Sequence, residues 1–257
     1  MVSTHVRAGL DIWRVLSWFQ RSSRDPLLDS NEDFFFRFVG DSPIEDYEFV
    51  VLDTELTGFN ARGDEIVSIG AVRIKGMRIV VGDNFYTVVK PKRHLPKKSI
   101  LIHRITSERV KSAPEIEEVI PAFIQYCGNA LLVGHHVHLD LSFINRECRR
   151  IMGGMMHNPS LDCALLARTH SAISRRRGQR SSGIGLSYNL VEVARRYGLP
   201  LFQPHDAFED AVQTAYLFLY FVARLRARGL STFKDFDRAS RVAGAPRIRY
   251  FLESCGY

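Results

Sequence analysis

The feature that most constrains the fold is the run Tyr47–Thr54, YEFVVLDT, which is apolar, rich in β-forming residues and closed by a carboxylate, Asp53. Such a run predicts a buried strand. Two more strand patterns follow, Glu65–Ile74 (EIVSIGAVRI) and Arg78–Val89 (RIVVGDNFYTVV), divided by the turn at Lys75-Gly76. Three consecutive strands with short turns predict an antiparallel meander. After them the hydrophobic period lengthens. A helix is expected from Ala113-Pro114-Glu115 to about Cys127, with its proline near the first turn, where the missing N–H is tolerated. Ala130–Gly134 (ALLVG) predicts a short central strand and Leu139–Ile151 a helix, with later helices at Cys163–His170, Ser187–Tyr197 and Glu209–Arg228. Strands first, then alternating β and α elements, argue for an α/β fold: a mixed sheet flanked by helices.

At 257 residues the chain is long enough for one sizeable domain with extensions. Three parts are expected: an extension at 1–46, the main domain at 47–228 and a short tail at 229–257. Within the extension, Asp11–Arg21 predicts a docking or capping helix, Phe34–Phe38 a strip packed against the main domain, and Gly40–Asp46 (GDSPIED) a linker. The tail carries Ser231-Thr232-Phe233-Lys234-Asp235-Phe236, the pattern of a capped final helix. A composition 46% hydrophobic and 25% charged excludes a wholly disordered or fibrous chain. No run approaches the ~18 apolar residues of a membrane span, so no membrane partner is expected. Leu10–Phe19 is short, broken by charge and without a cleavage site, unlike a secretory signal. Four widely spaced cysteines fit a reducing compartment, and a cytoplasmic location is expected. The formal charge of +7 points to a polyanionic partner, although a generic basic protein would show the same excess. Arg175, Arg176, Arg177 and Arg180, on a Gly/Ser-rich stretch, read equally as a phosphate-contacting flap or as a solvated loop.

The chemistry starts at Asp53-Thr54-Glu55. On an extended chain, positions i and i+2 share a face, so both carboxylates emerge together and can grip a hard divalent cation. Asp140 stands where ALLVG gives way to a helix, and Asp210 lies near the start of the long late helix, five residues after His205. Helix capping would explain either aspartate alone. Together with Asp53, Glu55 and His205 they predict a metal-dependent hydrolase.

Three ordered blocks sharpen that reading: VVLDTELTG at Val50–Gly58, LVGHHVHLDLSFI at Leu132–Ile144 and HDAFEDAVQTAYLF at His205–Phe218. With softer matches at His103–Thr106, Leu161–Arg168 and Leu186–Leu199 they span about residues 47–225, and they resemble the DnaQ-like 3′–5′ exonucleases of the DEDDh type. The pattern departs from the family at His136, where asparagine is usual, at Leu139, where an aromatic is usual, and at Leu56, where threonine is common. The resemblance implies a ribonuclease H-like fold and two divalent cations, Mg²⁺ or Mn²⁺. Asp53, Glu55 and Asp210 would hold one ion, Asp53 would bridge to the second, Asp140 would complete the site through water, and His205 would deprotonate the attacking water. Leu56, Thr57 and Gly58 would line the terminal-nucleotide pocket, His103 would lie near the sugar or scissile phosphate, and His136 would belong to the substrate site. His135, His136 and His138 stand too close together for a zinc site beside so many carboxylates. Phe59 is expected as a hydrophobic wall, and Asp206 and Glu209 as capping or solvated residues. The expected partner is single-stranded or 3′-ended nucleic acid, DNA favoured, with a polymerase or other protein engaged through residues 1–46. An RNA-directed exoribonuclease and a non-catalytic binding module are the alternatives, and the oligomeric state stays open.

Overall fold

A computed structural model describes residues 24–176 and 187–244. The predicted helix at Asp11–Arg21, together with Arg177, Arg180 and Cys255, lies outside the described residues. The centre is a five-stranded sheet of β1 (Phe49–Leu56), β2 (Ile66–Lys75), β3 (Arg78–Val88), β4 (Leu131–Gly134) and β5 (Ser160–Asp162). Its order is β3-β2-β1-β4-β5. β1, β2 and β3 form the expected antiparallel meander, and β4 and β5 join parallel to β1. The β1–β2 connection is longer than a tight turn: Thr57, Asn60, Asp64 and Glu65 bond to one another and build a folded loop.

Helices cover both faces: α1 (Pro26–Phe35), α2 (Lys97–His103), α3 (Ser107–Lys111), α4 (Ile116–Cys127), α5 (Val137–Met152), α6 (Cys163–Arg176), α7 (Leu190–Arg196), α8 (Ala207–Arg226) and α9 (Phe233–Gly244). Alternation along β1 sorts the core. Phe49 and Val51 face the layer of α6, α8 and α9, whereas Val50 and Leu52 face that of α4 and α5. The α8 layer is built on aromatics, with Phe49 and Phe218 ring centroids 4.8 Å apart. Burying a side chain of this size contributes about 1.5–3 kcal/mol.

The extension and the junctions depart from the sequence reading in instructive ways. α1 starts on Pro26, and the side chain of Asp25 accepts from Leu27 N at 2.8 Å, a proline-primed N-cap. Helical spacing then splits the phenylalanine strip. Phe35 is buried and Phe38 packs against the core, while Phe34 and Phe36 stay exposed. α6 runs six residues past the predicted end at His170, because Ile173 reaches the core and Ser171 and Ser174 are buried. Arg175 and Arg176 are therefore helical rather than part of a loop. The short strand β5 and helices α2 and α3 lack enough periodicity to be read from sequence. No helix among the described residues is long and apolar enough to cross a membrane.

Candidate active site

β1 lies at the point where the sheet changes sense, antiparallel to β2 and parallel to β4. In open α/β sheets the crevice beyond the carboxyl ends of the strands at such a switch is where ligands bind. The pairing with β4 ends at Val51–Val133, and the chain leaves β4 at Gly134, so the last residues of β1 have no strand on that side. The first turn of α5 enters the gap. Asp140 Oδ1 accepts from Thr54 N at 3.0 Å and from Thr54 Oγ1 at 2.6 Å, taking over the ladder bond that β4 no longer supplies.

On the opposite face Asp53 and Glu55 meet the start of α8. Gly70 makes this approach possible. It pairs with Asp53, and a Cβ built on it would fall 2.2 Å from the carbonyl carbon of Ala207. The first turn of α8 thus sits directly on β2, where no other residue type leaves room. Asp206 is its N-cap, accepting from Phe208 N at 3.0 Å and Glu209 N at 3.3 Å. Asp210, in the first turn, accepts from the backbone N of His205 at 2.9 Å. His205 holds φ 64°, a left-handed conformation that costs a non-glycine residue about 1–3 kcal/mol. One ligating atom each from Glu55, His205 and Asp210 falls within a 4.8 Å span.

The electrostatics follow from this crowding. Burial, then Asp140, Asp210 and Glu55 in turn, holds Asp53 well above the usual carboxylate range. Burial followed by Asp210 and Asp140 raises Glu55 to about 8. Burial lifts Asp140 to about 7 against the opposing bonds from Thr54, and it lifts Asp210 to about 7 against the His205 amide. Four carboxylates that repel one another with few internal cations form a donor set suited to hard divalent metal ions. His205 is exposed and is lowered by partial burial and by Arg104.

Of the remaining sequence-predicted residues, Leu56 is half-buried at the end of β1. Thr57 is committed to its loop, its hydroxyl donating to Asp64 Oδ1 and accepting from Glu65 N. Gly58 is crowded, since a Cβ there would lie 2.5 Å from Asp64 Oδ2. His103 is buried, with Nδ1 accepting from Ile105 N at 3.0 Å. That bond puts the proton on Nε2, a buried atom with no hydrogen-bond partner. Burial, then His205, lowers His103 to about 4, so the two rings sense each other. His136 stands apart. Its ring neighbours are His135 and His138, and its backbone N donates to Asp162 Oδ1 at 3.1 Å. His135 Nε2 lies 2.6 Å from Tyr188 O, so this trio does not share one ligand centre. Phe59 is partly exposed at the mouth of the β1–β2 loop.

Sequence reasoning passed over Thr54, Gly70, Arg104 and Asp162. Only Gly70 left a signal, since glycine inside a strand pattern marks a close backbone approach.

The sequence profile of the exonuclease family (RNase_T) matches residues 50–218. A DNA polymerase III PolC-type protein of Thermotoga maritima is 35% identical over 198 residues, covering 77% of this chain and 14% of that protein. DNA polymerase III subunit epsilon of Aquifex aeolicus is 32% identical over 180 residues, covering 70% of this chain and 83% of the relative. Among solved structures, Exonuclease X in complex with 5′ overhanging duplex DNA superposes with a TM-score of 0.53 at 24% identity, covering 75% of this chain and 99% of that one. That likeness is one of fold, and it bears out the ribonuclease H-like architecture. The chain spans about a seventh of the length of the PolC-type relative.

Proposed function

The chain belongs to the exonuclease family, and on that premise we propose that it hydrolyses phosphodiester bonds from the 3′ end of nucleic acid, DNA in preference to RNA, releasing nucleoside monophosphates. The observation that carries this reading is the meeting of carboxylates from β1, α5 and α8, all shifted upward, with His205 beside Glu55 and Asp210. The preference for DNA rests on the DNA polymerase III relatives.

Exonucleases of this family generally use divalent metal ions, and the donor set fits two of them, Mg²⁺ or Mn²⁺. When bound, the ions would supply positive charge to the phosphodiester and its leaving oxygen and would acidify the attacking water. Asp53, Glu55 and Asp210 would hold them. Asp140 keeps Oδ1 on Thr54 and offers Oδ2 to a water molecule. His205 accepts the proton of the attacking water, a role its lowered pKa favours by keeping the ring neutral near neutral pH. His103 offers its unpartnered Nε2–H to a substrate oxygen. Leu56, Thr57 and Gly58 shape the pocket for the terminal nucleotide.

Residues 47–228 form the catalytic unit of this proposal, residues 1–46 its surface for a polymerase or another protein, and residues 229–257 a short tail. Proofreading, repair and end processing in the cytoplasm would all use this activity. The test incubates 5′-labelled single-stranded DNA and RNA of one sequence with Mg²⁺, Mn²⁺ or EDTA, beside Asp210→Ala. A metal-dependent ladder from the 3′ end, stronger on DNA and absent in the variant, is expected. A stronger ladder on RNA would reassign the substrate. No shortening of either strand, with binding retained, would make the chain a binding module.

A further inference from the structure

A second group of side chains stands beside the cleft that bond cleavage itself does not use. Asp53 pairs with Gly70, and Gly70 pairs with Tyr86 on the edge strand β3. Paired residues project on one face, so Tyr86 stands on the same side of the sheet as Asp53, about 10 Å away across two strand spacings. The start of α8 fills the space between them over Gly70, and the ring of Phe208 packs 6.2 Å from that of Tyr86. Tyr86 is 37% exposed.

Its hydroxyl is in use. Arg109, on α3, donates through a terminal guanidinium nitrogen to Tyr86 Oη at 2.9 Å, with the guanidinium carbon 5.9 Å from the ring centroid. α3 follows α2 after three residues, so the segment that brings His103 to the carboxylates also brings Arg109 to Tyr86. The phenol is raised by burial and then by Asp206, with Glu55 adding to it, which puts the pair within electrostatic reach of the carboxylate site. Arg109 is exposed and has no ion-pair partner among the described residues, leaving the rest of its planar donor set free. A guanidinium held by a tyrosine beside an acidic cleft, with no carboxylate paired to it among the described residues, is arranged to receive an anion from outside.

We propose that Arg109, held by Tyr86, binds a backbone phosphate upstream of the scissile bond and so selects polymeric nucleic acid over a mononucleotide ester. This rests on the hydrolytic reading above. The pair offers charge and a fixed fork without base-edge donors, so the contact is to the sugar–phosphate chain and carries no sequence preference.

The test compares full-length wild type, Arg109→Ala and Tyr86→Phe on a single-stranded DNA 12-mer and on thymidine 5′-(p-nitrophenyl phosphate), a chromogenic ester with no upstream phosphate. Fluorescence anisotropy of the labelled 12-mer, in Ca²⁺ and over a series of salt concentrations, runs alongside. In Arg109→Ala the ratio of 12-mer to ester kcat/KM should fall about tenfold through KM. The slope of log K against log salt should lose about 0.7, the share of one phosphate contact on a single strand. Tyr86→Phe, which frees the guanidinium without removing it, should give a smaller fall of the same kind. Equal losses on both substrates, or none on the 12-mer, would overturn the proposal while leaving the hydrolytic reading intact. If wild type cleaves neither substrate, the hydrolytic reading fails by itself. The anisotropy slopes then decide: a reduced slope in Arg109→Ala upholds the phosphate contact, and an unchanged one removes it.

Discussion

Helices α5 and α8 both begin beside a histidine in the left-handed region, His136 and His205, each at φ 64°, and both carry an aspartate in the first turn, Asp140 and Asp210. The two starts differ in where the histidine backbone N–H goes. That of His136 donates to Asp162, a third carboxylate that also accepts from Ala164 N at 2.8 Å. Asp162 thereby ties the end of β4 to the start of α6, and burial, then His135, draws the His136 ring down to about 4. At His205 the same N–H goes to Asp210, a member of the carboxylate cluster, and the ring stays exposed at its edge. One strained turn has become a post that holds a helix in place. The other keeps an imidazole in reach of chemistry. Backbone conformation alone does not distinguish them; the partner of one amide does.

The sharpest way to break this comparison is to remove each ring in turn. His205→Ala should lower kcat by about 10²–10⁴-fold, the usual contribution of a general base. His136→Asn, which keeps the backbone bond to Asp162 in a residue that tolerates the left-handed region, should turn over close to wild type. Equal losses in a steady-state assay would show that the two turns are functionally alike. A second perturbation lifts only α8. Gly70→Ala puts a methyl group into the Ala207 carbonyl, and overpacking of this kind costs about 1–3 kcal/mol. Its activity should fall further than its melting temperature explains, because Asp210 and His205 move away from Asp53.

Thr54→Val acts on α5 alone. It keeps the volume but strips a hydroxyl from buried Asp140, at a cost of about 1–3 kcal/mol read by urea denaturation. A variant as stable as wild type would mean that the backbone bond suffices to seat Asp140. The smallest expected effect is a pH trend shared by both helices. Glu55 at about 8 and Asp140 and Asp210 at about 7 hold protons in the folded chain that the unfolded chain has already released. Stability therefore falls as pH rises through those values. The lowered histidines, His103 and His136 at about 4, oppose this below their ordinary value of 6.5 and add nothing above it. Without metal, Tm should drop between pH 6.5 and 8, and millimolar Mg²⁺ should restore more of it at pH 8 than at 6.5. A metal-free Tm that climbs over this window would contradict the carboxylate cluster.

Much of this arrangement was legible in the sequence because its signals are local. The buried run ending in Asp53, the period-2 spacing to Glu55 and the aspartates at helix starts each need only a few neighbours to be recognised. What escaped depends on contacts between distant segments. Thr54 gains its meaning from β4 stopping short, Gly70 from a helix that arrives more than a hundred residues later, and Asp162 from a three-residue strand with no periodicity to show. The split of the phenylalanine strip has the same origin. Four aromatics within five residues carry no phase until Asp25 and Pro26 fix where the helix begins. The partners that would engage residues 1–46 leave no comparable mark.

The seat of α8 on Gly70 also fixes a schedule. Asp53 and Glu55 leave the ribosome early, but the residue that closes their cluster follows 157 positions later (210 − 53), on α8. Pairings this distant in sequence form late and together. A nascent or truncated chain that stops short of α8 thus holds Asp53, Glu55 and Asp140 without Asp210 and His205, and the proposed activity would appear only once the whole domain stands.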